Sequence, residues 1–349
     1  MTEQAIDIKP LIHRVVDGQE LTVLEASQAL DVIMSGGATP AQVGALLTAL
    51  RMRGESVAEI AGFARTMRKH ALQVHLANDP RPVVDTCGTG GDAAGTFNIS
   101  TTAAFAVAGA GVRVAKHGNR SMTSRCGSAD VLEALGIKIQ LSPEQVAHCV
   151  DTAGFGFMFA QAFHPAMKYV GPIRREIGIR TMFNILGPLT NPAGVKRQLI
   201  GVSDGRVSAA LADVLALLGA ERVLFATAHD GLDEIGVSGP TDIVEFDRDR
   251  SSTRAYTIDP AMLGLEEATR DSILGGSIEE NVEIVRSVLR GEGGPRRTVT
   301  LINAGAAIYT AGVVDSIEQG IAKAADAIDS GRANSVLQHV IDLTQSFEA

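Results

Sequence analysis

From residue 83 onward, short apolar runs alternate with stretches of helical periodicity, and no other pattern in the 349 residues narrows the fold so far. Runs at 83–86, 112–115, 155–159, 199–202, 223–227, 243–246 and 298–301 read as strands. Residues 100–108, 143–152, 207–218, 278–289 and 317–329 read as helices, the second capped by Ser142. Strand–helix alternation predicts a mainly parallel sheet covered on both faces. Ligands of such sheets sit beyond the carboxyl ends of the strands.

The first seventy residues are different. Thr22 with Glu25, Thr39 with Gln42 and Ser56 with Glu59 are successive capping-box pairs, and Pro40 suits the first turn of a helix. Gly36-Gly37 and Gly54 supply stops, and Val43, Leu46, Leu47 and Leu50 form a helical stripe. The expected fold class is therefore α/β: a small all-helical N-terminal domain plus a large α/β domain with a mainly parallel central sheet. The texture changes at Asn78-Asp79-Pro80-Arg81-Pro82.

Composition excludes several functions. The net charge is −9, with no Trp and 3 Tyr, which argues against a basic or stacking nucleic-acid surface. The first residues lack a basic segment leading into an apolar one, and no run approaches the roughly 20 residues of a membrane span. Cys87, Cys126 and Cys149 show no CxxC spacing, so free thiols in a reducing cytosol are expected and a zinc site is not.

Four segments carry chemistry. In Val83-Val84-Asp85-Thr86-Cys87-Gly88-Thr89-Gly90-Gly91-Asp92, a strand enters a glycine-rich loop that leads to Asn98, Ser100 and Thr101 at a helix start. Such a loop aims N–H groups and a helix dipole at a phosphate. It lacks the Lys of a Walker A loop, and the absence of Asp or Glu between Asp92 and Asp130 removes the dinucleotide reading. The second segment runs from Lys116 to Asp130. Lys116, Arg120, Arg125, glycines and hydroxyls there suit an anion-facing loop, or a solvated one. In the third, Arg174, Arg175 and Arg180 suit a bidentate carboxylate contact, or a surface ion pair with Glu176. Asp230-Gly231-Leu232-Asp233-Glu234 suits Mg²⁺ beside a substrate phosphate, or a charged turn.

The strings DTCGTGGDAAGTFNIST, KHGNRSMTSRCGSADVLEALG, IRREIGIRTMFNILGPLTNPA and DGLDEI occur in that order. Together they resemble the anthranilate phosphoribosyltransferase family of the tryptophan pathway, over most of the chain. The resemblance implies a fold like that of the nucleoside phosphorylases and phosphoribosyltransferases. The helical domain would span 1–76 and be completed by about 165–190, leaving 77–164 and 191–349 as the α/β domain. It implies a cytoplasmic enzyme, homodimeric through its helical parts, that moves phosphoribose from 5-phosphoribosyl 1-diphosphate (PRPP) to the amine of anthranilate. Mg²⁺, two ions per subunit, would serve it.

The resemblance also assigns residues. PRPP would be held by Gly88, Gly91, Asp92, Thr96, Asn98, Ile99, Ser100 and Thr101, and from the other side by Lys116, His117, Gly118, Asn119, Arg120, Ser121, Met122, Thr123, Ser124 and Ser128. Anthranilate would meet Gly88, Asn119 and Arg174, and the metal Ser100, Asp233 and Glu234. No residue is assigned as acid or base. The chain departs from the family at Thr123, often Ser, at Thr227-Ala228, often His-Gly, and at Met167, aromatic in some members. Two competing readings are a pyrimidine nucleoside phosphorylase, whose base-recognition motif is missing, and a nucleic-acid-binding relative, which should be basic and have broken motifs.

Overall fold

The computed structural model describes residues 7–90, 94–121 and 125–348. The N-terminal unit contains helices α1 (Lys9–Val16), α2 (Val23–Met34), α3 (Pro40–Arg53) and α4 (Val57–His70). The three capping boxes form, with Thr22, Thr39 and Ser56 accepting the N–H of Glu25, Gln42 and Glu59. Caps of this kind contribute about 1 kcal/mol each. Glu59 does more. Fully buried, it also accepts the Leu21 N–H at 2.9 Å and pairs with Arg53, pinning α4 to the turn before α2.

Among the described residues, seven strands form one sheet: β1 (Val83–Gly88), β2 (Arg113–Gly118), β3 (Phe155–Phe159), β4 (Arg197–Gly201), β5 (Arg222–Ala228), β6 (Thr241–Asp247) and β7 (Ser252–Ile258). Their order is β3-β2-β1-β4-β5-β6-β7. The first five in that order are parallel, β6 runs antiparallel to β5, and β7 runs antiparallel to β6. The chain builds outward one way from β1 and then the other way from β4, so the switch point lies between β1 and β4.

Two expectations need correction. Residues 298–301 are not a strand; they lie in a helix, Pro295–Thr310, that is buried on nearly all sides. A four-residue apolar run cannot show whether its period is 2 or 3.6. Strand β7 was not expected, because its residues are mostly exposed and polar, as an edge strand allows.

The remaining helices are α5 (Ile99–Gly109), α6 (Ser128–Leu135), α7 (Pro143–Ala153), α8 (Ala160–Phe163), α9 (Gly171–Ile177), α10 (Phe183–Leu186), α11 (Ser208–Leu217), α12 (Ile278–Leu289), α13 (Pro295–Thr310), α14 (Ile317–Asp329) and α15 (Arg332–Ser346). On one sheet face, Val84, Leu199 and Leu224 pack in one core with Phe105 of α5, Ile302 of α13 and Leu337 of α15. On the other, Cys87, Ile200 and Phe225 share a core with Leu211 of α11 and with Leu46, Leu50 and Phe63 of the helical unit. The helical unit is thus welded to the sheet through apolar contact.

Residues 165–190 run back against the helical unit. The Tyr169 ring packs over Gly36, and Phe183 meets Phe63 edge-on with ring centroids 6.1 Å apart. Arg68 of α4 donates to the Leu189 carbonyl at 2.7 Å. The two crossings between the units lie side by side, with the Val74 N–H on the Pro192 carbonyl at 3.1 Å. Cys87, Cys126 and Cys149 are buried free thiols. Among the described residues, no helix is long and apolar enough to cross a membrane.

Candidate active site

The residues singled out from the sequence gather at the carboxyl ends of β1, β2 and β4. Gly88 and Gly201 are register partners there, and the Thr89 N–H donates to the Gly201 carbonyl at 2.9 Å. The segment after β5 folds back over them. A Cβ on Gly201 would lie 1.6 Å from the Asp233 carbonyl oxygen, and one on Gly88 would lie 2.7 Å from Asp233 Oδ2. Only glycine at both positions lets Asp233 come this close.

Asp233 Oδ2 accepts the Gly90 N–H at 2.8 Å, and Glu234 Oε1 accepts the Ser100 N–H at 3.2 Å. The acidic pair is therefore fastened to the glycine loop and to the first turn of α5. A carboxylate at a helix N-terminus is favoured by the helix dipole. Among the described residues no three His, Cys, Asp or Glu side chains cluster as a metal cage. Two half-buried carboxylates beside the Ser100 hydroxyl offer hard oxygens of the kind Mg²⁺ takes, when phosphates and waters complete the shell.

At the start of α5, Asn98 Nδ2 donates to the Cys126 carbonyl at 3.1 Å, tying the first loop to the second. Its Oδ1 and the Thr89 hydroxyl are buried with no hydrogen-bond partner among the described residues. Ile99 and Thr101 are buried, so only their backbone can face a ligand. Thr96 bridges to Leu274, Phe97 N–H reaches the Ile273 carbonyl at 3.2 Å, and Gly275 N–H reaches the Gly95 carbonyl at 2.9 Å. Residues 273–275 thus wall the glycine loop. Nothing in their sequence carried that information, since the contact is set by tertiary docking alone.

In the second loop, Lys116 is buried beneath the first. Its Nζ donates to the Thr86 carbonyl and, at 3.2 Å, to Ser100 Oγ. His117 Nδ1 lies 3.2 Å from the Gly187 carbonyl, and its Nε2 lies 3.2 Å from Nε2 of His164. Burial holds both rings neutral, pushing His117 down to about 3 and His164 to about 4. His117 therefore donates from Nδ1 to the carbonyl and accepts from His164. His164 was not singled out from the sequence, because a lone His before a proline carries no spacing signal.

The Asn119 carbonyl accepts from Ser128 Oγ at 3.1 Å and from the Ala129 N–H at 3.2 Å. Gly118 is pressed against Ser128 and Phe157. Arg120 pairs with Asp130 at 2.8 Å and Glu133 at 2.9 Å, and the Ser121 N–H also reaches Asp130 at 3.2 Å. The Arg120 charge thus already serves the loop's own structure. Gly91, Asp92, Met122, Thr123 and Ser124 lie outside the described residues.

Arg174 stands apart on α9. Its guanidinium lies 5.3 Å from the Phe183 ring centre and has no acidic partner among the described residues. Burial lowers its proton affinity. Among the described residues no hydrogen bond ties it to either loop. A half-buried, unpaired guanidinium is an open receptor for a carboxylate.

Comparison with known proteins agrees with the fold of a helical N-terminal unit followed by an α/β unit. The α/β domain of a glycosyl transferase family matches residues 80–334, and the helical bundle domain of that family matches residues 9–71. An anthranilate phosphoribosyltransferase of Moorella thermoacetica is 52% identical over 98% of this chain and 100% of its own length. One from Symbiobacterium thermophilum is 52% identical over 98% and 99%. The crystal structure of anthranilate phosphoribosyltransferase from Thermus thermophilus superposes with a TM-score of 0.90 at 40% identity, covering 96% of this chain and 99% of its own. The Saccharomyces cerevisiae enzyme in complex with PRPP and Mg superposes with a TM-score of 0.87 at 28% identity, covering 97% and 99%.

Proposed function

The chain belongs to the anthranilate phosphoribosyltransferase family, and we infer that it transfers the 5-phosphoribosyl group from PRPP to the amine of anthranilate, releasing diphosphate, in tryptophan biosynthesis. The observation that carries this reading is the fastening of Asp233 and Glu234 onto the glycine loop and the N-terminus of α5. That arrangement joins a phosphate cradle to metal-type carboxylates at a sheet switch point.

The cradle of Gly88, Gly91, Asp92, Thr96, Asn98, Ile99, Ser100 and Thr101 would hold PRPP from one side. Residues 116–124 and Ser128 would hold it from the other. The unpartnered Asn98 Oδ1 and Thr89 hydroxyl, beside that cradle, support a polar ligand there. Mg²⁺, held by Ser100, Asp233 and Glu234 with two ions per subunit, would neutralise charge on the departing diphosphate. Arg174 receives the anthranilate carboxylate while Gly88 and Asn119 frame the ring. An aromatic amine is neutral near pH 7, so positioning replaces a dedicated base. Orientation of this kind lowers barriers by up to roughly 7–11 kcal/mol.

We further read the helical domain as 1–76 completed by 165–190, on the contacts of Tyr169, Phe183 and Leu189. Homodimerisation through it is supported by the exposed Val16, Leu24 and Met52. The cytoplasm is the compartment suited to its substrates. The test follows anthranilate fluorescence after addition of PRPP and Mg²⁺. PRPP-dependent loss of signal is expected, and the same preparation should scatter light as a dimer. Fluorescence that stays constant refutes the activity.

A further inference from the structure

Strands β1 and β2 part company early. Their registered pairs are Val83 with Arg113 and Val84 with Val114. The Arg113 N–H meets the Pro82 carbonyl at 3.0 Å. Continued at that register, a parallel ladder would send the His117 N–H to the Thr86 carbonyl and the Thr86 N–H to the Ala115 carbonyl. Side chains take three of those four groups instead. The His117 N–H donates to Asp85 Oδ1 at 3.2 Å. Asn191 Nδ2 donates to the Ala115 carbonyl at 2.9 Å and to Asp85 Oδ2 at 2.8 Å. Lys116 Nζ takes the Thr86 carbonyl and reaches on to Ser100 Oγ.

All three inserted side chains are buried: Asp85 is 0% exposed, Asn191 2% and Lys116 2%. Burying an acid and a base is expensive unless their polar atoms are satisfied; here each is hydrogen-bonded, and Asp85 and Lys116 attract each other electrostatically without direct contact. An uninterrupted ladder would satisfy the same backbone groups with no buried charge. Holding the strands apart is what the charged insertion adds. Beyond the split, β1 pairs with β4 from Asp85 to Gly88, and β2 pairs with β3 as far as Gly118. The glycine loop and the second loop spring from the two sides of the gap.

We propose that Asp85, Asn191 and Lys116 form a wedge that sets the spacing between the two loops, and so the width of the subsite for the diphosphate and ribose of PRPP. This rests on the reading of the site as a PRPP site. Asp85 and Asn191 are positioning residues, and Lys116, already read as one of the residues that hold PRPP, adds a positioning role. Asp85 acts through the His117 backbone, Lys116 through Ser100, and Asn191 couples the wedge to the segment returning from the helical unit.

The experiment compares Asp85→Asn and Asn191→Ala with Glu245→Gln. Glu245 is an equally buried carboxylate on β6, three strands from β1, bonded to Tyr309 at 2.8 Å and Tyr256 at 2.9 Å. The wedge variants should bind inorganic diphosphate about tenfold more weakly by calorimetry and raise the PRPP KM about tenfold, with the anthranilate KM within about twofold. Glu245→Gln should lose thermal stability without moving diphosphate affinity. Asn191→Ala introduces no new charge, and keeps the test informative should Asp85→Asn fail to fold. Wild-type diphosphate affinity and PRPP KM in a folded wedge variant would overturn the proposal, as would equal weakening in Glu245→Gln. Wild-type protein that consumes no anthranilate would instead overturn the underlying reading.

Discussion

Arg174 shows how much one unpaired charge can decide. Arg113 and Arg222 are also taken out of solvent, but each has a carboxylate partner: the buried Arg113 has Asp151 and the half-buried Arg222 has Asp247. Arg174 has an aromatic face and an unanswered guanidinium. Replacing it with Ala removes a charge-assisted contact of about 1.5–3 kcal/mol. The anthranilate KM should therefore rise about 10–100-fold in steady-state assays while the PRPP KM changes little. Comparable rises in both would show that Arg174 supports the fold rather than receiving the acceptor. Local spacing left Arg174, Arg175 and Arg180 as three candidates with an ion-pair alternative in Glu176; the family resemblance picked out Arg174, and its half-buried place against Phe183 is what the structure adds. Asp85 and His164 were not legible at all. A single buried acid in a strand looks like any other polar residue until its partners from β2 and residue 191 are placed beside it.

At the level of elements, the sequence spoke clearly where a local rule applies. The capping boxes, the stops and six of the strands follow from hydrogen-bonding side chains and apolar runs that act within a few residues. Strand β7 and the helix at 298–301 depend on what packs against them, which no window of residues contains. The crossing of the 230–235 segment over β4 is equally non-local. Its Asp and Glu were visible as a cluster, but the requirement for Gly201 beneath them was not. Gly201→Ala would place a methyl group on the Asp233 carbonyl, so the segment must lift. Overpacking of this kind costs about 1–3 kcal/mol. The variant should fold with a lowered Tm, while titration with Mg²⁺ in the presence of PRPP shows a higher half-saturating concentration. Unchanged Mg²⁺ dependence would mean that the acidic pair is not held by this crossing.

Across the whole molecule, the helical unit and the sheet meet where the substrates would, and the seam is partly polar. His117 belongs to β2, His164 and Gly187 to the segment that travels to the helical unit and back. A bond between neutral rings can serve there only while both stay uncharged. Burial lowers the proton affinity of each, and the neighbouring His164 and Lys116 lower that of His117 further. Unfolded, each ring titrates near 6.5. The unfolded chain therefore binds protons that the folded chain refuses, and stability falls as the pH drops from about 6.5 towards the folded values of about 4 and about 3. Between pH 6.5 and 5 the two rings together should cost about 3 kcal/mol, read from urea unfolding at each pH. His164→Asn, which keeps a donor near His117, should roughly halve that loss. Equal pH dependence in the variant would place the acid sensitivity in other groups and leave the seam without a role in it.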